Sequence, residues 1–383
     1  MFNNLTYAHL PEEAELLRSP VKALIAETIN GLSIEQRTHS WAGYDIAFSR
    51  ALGQAGYLGL TLPVEYGGGG KGPFARFVVI EELLAVGAPV AAHWIGDRQS
   101  ALQILKFGSE EQRRHYLPNI ARGDYFFCIG MSEPGSGSDL ASVRSRAERV
   151  EGGWKLNGQK IWTTMAHISD YMIALVRTSG TSEDKHSGLS QLIIDLKAPG
   201  VTVRPIPDLT GDEHFAEVFF EDVLLPETAI IGQEGDGWAQ VTAELAFERS
   251  GPERIYSSIV LLDGWISHLC SAGHIDSERE RLVGKLTAQL ATLRAMSIAV
   301  TAQLAEGHSP VVEASLIKDL GTAFEQSIPT LIADDLGSRP DEPVSADLHR
   351  ALIYCSRAAP TYSLRGGTRE ILRGIISRGL GVR

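Results

Sequence analysis

Three short stretches of the sequence concentrate side chains that can do chemistry. Met131-Ser132-Glu133-Pro134-Gly135-Ser136-Gly137-Ser138-Asp139 sets two glycines around a serine, which leaves backbone N–H groups unshielded, and adds the hydroxyls of Ser132 and Ser138. Such a loop can donate several hydrogen bonds to a flat heterocycle or a phosphate, although a plain polar turn has the same make-up. Asn157-Gly158-Gln159-Lys160-Ile161-Trp162-Thr163-Thr164 ends with an indole beside two hydroxyls. An indole against a flat ring, with a hydroxyl aimed at the ring edge, suits an isoalloxazine; a core tryptophan with threonines on a strand is the plainer alternative. In Leu-Ala-Phe-Glu-Arg-Ser-Gly-Pro-Glu-Arg, Pro252 has no N–H for the carbonyl four positions back, at Glu248. A helix broken at a residue that carries a carboxylate suggests a special site. The competing expectation is an exposed Glu-Arg pair on a kinked helix, with Arg249 paired to Glu253.

Other common signatures are missing. Eleven histidines are scattered without a His-Glu-x-x-His, and no Cys-x-x-Cys occurs, so no metal site is expected. No Gly-x-Gly-x-x-Gly follows a strand and the Walker spacing is absent, and Glu65-Tyr66-Gly67-Gly68-Gly69-Gly70 reads as a tight loop between helices.

The elements that must position these residues follow an α, β, α order. Residues 11–122 carry helical periodicity, interrupted by Pro63 and Gly67–Gly70 and ending on a segment capped by Ser109. From about 124 to 235 the pattern turns to strands: two short ones around Asn157-Gly158, then Ser190–Leu196, Val201–Ile206 and Ala216–Leu225. After Gly237 long periodic helices return, with a short final one from about Thr368 to Gly379. The expected domains are 1–122 (helical), 123–235 (β) and 236–383 (helical bundle).

Composition limits the function classes. With 383 residues, 44% hydrophobic and 21% charged, the chain is a folded globular protein rather than a disordered or fibrous one. A net charge of −12 argues against a nucleic-acid surface. No stretch reaches ~18 apolar residues, so no membrane span is expected. Three unpaired-looking cysteines and an N-terminus without a signal-peptide pattern lead to the expectation of a cytoplasmic protein with reduced thiols.

Together, the first two stretches resemble the signatures of the acyl-CoA dehydrogenase family, a Thr/Ser-Glu-Pro-Gly-x-Gly-Ser-Asp loop and an Asn-Gly-x-Lys-x-Trp-x-Thr strand. The resemblance spans nearly the whole chain. It includes Gly59–Gly68, Phe107–Gln112, Glu217–Val223 with Pro226, Gly232–Trp238 and Gly366-Gly367-Thr368-Arg369-Glu370-Ile371. It implies an α+β multi-domain fold: an N-terminal helical domain, a middle β-barrel-like domain and a C-terminal four-helix bundle. It also implies FAD as cofactor and α,β-dehydrogenation of an acyl-CoA to the trans-2-enoyl-CoA, with electrons passed to an electron-transfer flavoprotein. A tetramer built as a dimer of dimers, homo- or hetero-oligomeric, is expected.

The resemblance also assigns roles. Many members carry their catalytic base immediately before the Gly-Thr of the C-terminal signature, where this chain has Gly366. Isovaleryl- and long-chain-type members carry it on a bundle helix before an arginine, which matches Glu248-Arg249, so Glu248 is the expected base. The Gly366 N–H keeps an oxyanion role and Arg249 is expected at the substrate. Met131, Ser132, Ser138, Trp162, Thr163, Thr164, Thr368 and Glu370 are expected at the cofactor, with Ser138 also at the CoA ester.

Two stretches depart from the family pattern. Its Arg-x-x-x-Phe-Gly is absent from Cys270–Leu286, and its Gln-x-x-Gly-Gly-x-Gly is replaced by Leu331–Pro343. The adenosine half of the FAD site therefore depends on other contacts or on a different partner chain. A flavin monooxygenase or oxidase on the same fold, and a non-catalytic subunit completing a partner's FAD site, are the alternatives.

Overall fold

The computed structural model describes residues 5–244, 249–273 and 275–382. The chain forms two compact units: Met1–Tyr44, Lys71–Val90 and Ala246–Arg383 make one, and Asp45–Gly70 with Ala91–Leu245 make the other.

The first unit is helical. Arg18–Ile29, Pro73–Ala85, Ile259–Ala272, Ser277–Ala305, Val311–Gly337, Ala346–Ala358 and Arg369–Gly379 are its longer helices. Ser345 caps one by accepting from the Leu348 N–H, and Thr368 stands at the N-terminus of the last. Two arginines on different helices converge on one buried acid: Glu81 accepts from Arg294 at 2.6 Å and lies 2.8 Å from Arg18, while the Tyr256 hydroxyl donates to it at 2.9 Å. A buried carboxylate is tolerated only with such partners.

The second unit contains an eight-stranded sheet: β1 (Phe127–Gly130), β2 (Arg146–Val150), β3 (Gly153–Thr164), β4 (Tyr171–Arg177), β5 (Leu189–Asp195), β6 (Val201–Ile206), β7 (Phe215–Pro226) and β8 (Ile230–Ile231). Its order is β6-β7-β3-β2-β4-β5-β8, with β1 parallel to β4. Trp154 and Leu156 of β3, Met172 and Ala174 of β4, Leu192 and Ile194 of β5, and Val218 and Phe220 of β7 share one apolar core. Alternation turns that set to one side, but β4 and β5 are buried on both faces: Ile173 and Ile193 point to the other side and join a second apolar cluster with Phe127 and Ile231. The Gly67–Gly70 loop folds back on the preceding turn, with Gly69 and Gly70 N–H groups donating to the Gly59 and Leu62 carbonyls. A Cβ at Gly68 would stand 2.3 Å from the Leu62 oxygen, so glycine is required there by close approach.

One expectation is corrected. Asn157-Gly158 is not a hairpin turn but lies inside β3, which runs unbroken through it. The β2–β3 reversal falls at residues 151–152, with Gly152 left-handed at φ +81°. At Asn157-Gly158 the pairing with β7 shifts register, a β-bulge. The Asn157 amide bonds the Asp222 carboxylate at 3.0 Å and accepts from its N–H at 2.8 Å, which pins the bulge. Gly158 is needed because a Cβ would meet the Ser145 Oγ at 2.4 Å.

Candidate active site

β1 runs directly into Met131 and Ser132, and β3 ends in Trp162, Thr163 and Thr164. The two stretches are laced together: the Ile161 N–H donates to the Ser132 carbonyl at 3.0 Å, and the Lys160 ammonium donates to the Met131 carbonyl at 3.2 Å. Beneath them the Lys160 Nζ pairs with the Glu133 Oε1 at 2.7 Å, both side chains buried. The Glu133 carboxylate also accepts from the Arg144 N–H at 2.6 Å and the Ser145 N–H at 2.9 Å. Burial pushes its pKa up, but the Lys160 charge and these donors outweigh that and hold it below the usual carboxylate range. Burial pushes Lys160 down to about 8 against the pull of Glu133. One of these residues lies in each motif, Glu133 in the loop and Lys160 in the strand, and neither stands out in the sequence as a reagent because the pair joins the two motifs.

Trp162 is held at φ +58°, a left-handed conformation that an L residue adopts at a cost, and its side chain is 57% exposed. A second register shift between β3 and β7, from Lys160 to Thr163, turns the indole outward. Phe215 meets it edge-on at 6.0 Å. Beside it the Thr163 hydroxyl is buried without a hydrogen-bond partner among the described residues. In the loop, the Glu133 and Ser136 backbones bond each other at 2.8 and 3.0 Å, and the Ser136 hydroxyl donates to the Asp139 carbonyl at 2.7 Å. Gly135 and Gly137 adopt no left-handed φ, and a Cβ on either would meet open space. Their bareness leaves the backbone open to approach from outside. An uncovered indole, an orphaned hydroxyl and two bare glycines fit the ring end of a flavin. Met131, Ser132 and Thr164 are half-buried and Ser138 is exposed.

In the helical unit, Gly366 and Gly367 are left-handed at φ +63° and +100°. Arg249 is 4% exposed and donates from Nε to the Gly366 carbonyl at 3.0 Å. Among the described residues, nothing accepts a hydrogen bond from the Gly366 N–H. The structure thus brings together Arg249 and Gly366, two residues that the sequence places 117 positions apart. Pro252 does not kink a helix. It opens a 3₁₀ turn, Pro252–Arg254, after an extended Gly251, a position where its missing N–H costs nothing. Glu248 lies outside the described residues. Thr368 is half-buried and Glu370 exposed, with the Glu370 carboxylate held below its usual range by its own backbone N–H and the Thr368 hydroxyl.

The two stretches that depart from the family pattern form an ion-pair network. Arg279 is 2% exposed and bonds Asp335 at 2.9 Å and Glu342 at 2.6 Å. Arg339 bonds Asp335 at 2.7 Å, Asp276 at 2.8 Å and Glu278 at 3.1 Å. Two arginines face four carboxylates, so these residues do not fit a pyrophosphate. No group of His, Cys, Asp and Glu among the described residues could hold a metal, and no described helix is long and apolar enough to cross a membrane.

The chain is similar in sequence and in fold to known proteins. Residues 11–124 match the model of the acyl-CoA dehydrogenase N-terminal domain and residues 128–223 that of its middle domain. Acyl-CoA dehydrogenase IpdE1 of Mycobacterium tuberculosis is 33% identical over 385 residues, covering 96% of this chain and 97% of the relative. Among solved structures, the Tcur3481-Tcur3483 steroid ACAD superposes with a TM-score of 0.85 at 25% identity, covering 97% of this chain and 98% of that one. The ChsE4-ChsE5 complex from Mycobacterium tuberculosis gives 0.83 at 27% identity, covering 99% and 100%. The chain belongs to the acyl-CoA dehydrogenase family, whose members are FAD-dependent oxidoreductases.

Proposed function

We propose that the protein oxidises an acyl-CoA thioester to the trans-2-enoyl-CoA and passes the electrons to an electron-transfer flavoprotein. The observation that carries this reading is the Gly366 turn, with its carbonyl tied to Arg249 and its N–H left to donate. When bound, FAD supplies a ring that accepts the β-hydride. Glu248 removes the α-proton; the sequence resemblance supports this assignment. Negative charge then grows on the thioester oxygen, where a fixed N–H stabilises it more than it stabilises the ground state. Gly366 provides that donor. Met131, Ser132, Trp162, Thr163 and Thr164 hold the flavin ring, Thr368 and Glu370 attend the cofactor, and Ser138 binds the CoA ester. Anaerobic titration with a panel of acyl-CoAs tests the reading: flavin bleaching by one of them supports it. No bleaching by any acyl-CoA, with rapid reoxidation by oxygen of dithionite-reduced enzyme, would point to an oxidase or monooxygenase.

A second proposal concerns the assembly. The network around Arg279 and Asp335 commits its cations to acids, so this chain offers the pyrophosphate little there. The working unit is a hetero-oligomer, a dimer of dimers in which a non-identical chain supplies the missing donors. Two of the structural neighbours are two-chain proteins by name, which supports this reading.

A further inference from the structure

The Val311–Gly337 helix carries a buried polar stripe. Ser315, Lys318, Thr322 and Glu325 recur at three- and four-residue spacing, each no more than 1% exposed, and Asp319 lies beside them at 8%. A bundle helix ordinarily turns an apolar face inward, and buried polar groups cost free energy unless they are bonded. These are bonded, and their partners converge on one loop. The Lys318 ammonium donates to the Tyr362 carbonyl at 3.3 Å. Glu325 takes Arg365 at 3.1 Å, and Asp319 takes Arg369 at 2.7 Å. The loop is therefore anchored on both sides of Gly366, and the Arg249 guanidinium spans the gap, donating to Ser315 at 3.5 Å and to the Gly366 carbonyl at 3.0 Å.

Gly366 and Gly367 explain why such anchoring is needed. Two consecutive glycines have more backbone freedom than any other pair, and a donor that samples many orientations stabilises developing charge poorly. We propose that Arg249 is a positioning residue: its hydrogen bond to the Gly366 carbonyl fixes the turn so that the Gly366 N–H is presented to the thioester oxygen. This rests on the reading of Gly366 as the oxyanion donor. Arg249 acts through Gly366, so its loss should weaken stabilisation of the enolate while leaving binding of the uncharged ester intact.

The test uses holoenzyme and a 3-thia-acyl-CoA built on the acyl group that the wild type oxidises. This probe can lose its α-proton but is not turned over, and its ionised fraction is read from long-wavelength absorbance. In Arg249→Ala, flavin content and affinity for the saturated acyl-CoA should stay within ~3-fold, while ionisation of the bound probe falls ~10-fold or more, part of the effect of losing a whole oxyanion donor. Added guanidinium ion should restore part of it, and Arg249→Lys should fall between. Unchanged ionisation in both variants would overturn the role. So would parallel weakening of every ligand, which would make Arg249 a direct substrate contact. If Arg249→Ala does not fold, Arg249→Lys carries the same comparison. A wild type that neither ionises the probe nor is reduced by any acyl-CoA would refute the underlying reading, and this role with it.

Discussion

The Lys160 ammonium lies 2.7 Å from the Glu133 carboxylate, and this buried pair joins the loop at 131–139 to the end of β3. The pair is a joint rather than a reagent. Removing one partner of a buried pair leaves an uncompensated charge, at a cost of about 3–5 kcal/mol. Lys160→Met should therefore lower the melting temperature sharply and release flavin. Glu133→Gln combined with Lys160→Met should recover much of the loss, because no lone charge remains. A double variant as unstable as the single one would show that the charges are not the source of the effect.

Trp162 and Ser138 should separate two ends of the binding chemistry. Trp162→Ala removes the exposed indole, so flavin retention and redox potential should change. Ser138→Ala should mainly weaken CoA-ester binding, by about 1 kcal/mol, one neutral hydrogen bond. Equilibrium dialysis for flavin and titration with a product-like enoyl-CoA measure both. Unchanged flavin content in the first variant and unchanged ester affinity in the second would refute these placements.

His93 gives the acid limb of stability a specific source. Its ring is 4% exposed, its Nδ1 meets the Ser49 hydroxyl at 2.9 Å, and burial pushes its pKa down to about 3 from 6.5. Above pH 6.5 it is neutral folded and unfolded alike. As pH falls from 6.5 towards 3, the unfolded chain gains a proton that the folded chain refuses, and stability drops by ~1.4 kcal/mol per unit. His93→Gln should flatten the slope of unfolding free energy between pH 6 and 4, as measured by urea titration. An unaltered slope would contradict this source.

Flavin occupancy tests the hetero-oligomer. Purified alone, the chain should carry substoichiometric FAD, and a complementary chain should restore it. A homo-oligomer with one tightly bound FAD per chain would remove the need for a different partner.

Much of this was legible in the residues. Periodicity announced the long helices after Gly237, which include Ser277–Ala305 and Val311–Gly337, because long periodic runs leave little choice of element. It missed the bulge at Gly158, since Asn-Gly serves a turn and a bulge equally and only the Asp222 partner on β7 decides. The motifs pointed to Trp162 and Thr163 but not to the strain at Trp162, which comes from pairing with a distant strand. Arg249 was singled out by its neighbour Glu248; its bond to Gly366 is a long-range contact that no local pattern encodes.

The most direct test of the central claim is the anaerobic reductive half-reaction of Glu248→Gln, followed by stopped-flow absorbance with the acyl-CoA that reduces the wild type. The account predicts a variant that retains flavin and binds the substrate but is reduced at least ~10²–10⁴-fold more slowly, the usual cost of a missing general base. Reduction at the wild-type rate would contradict it.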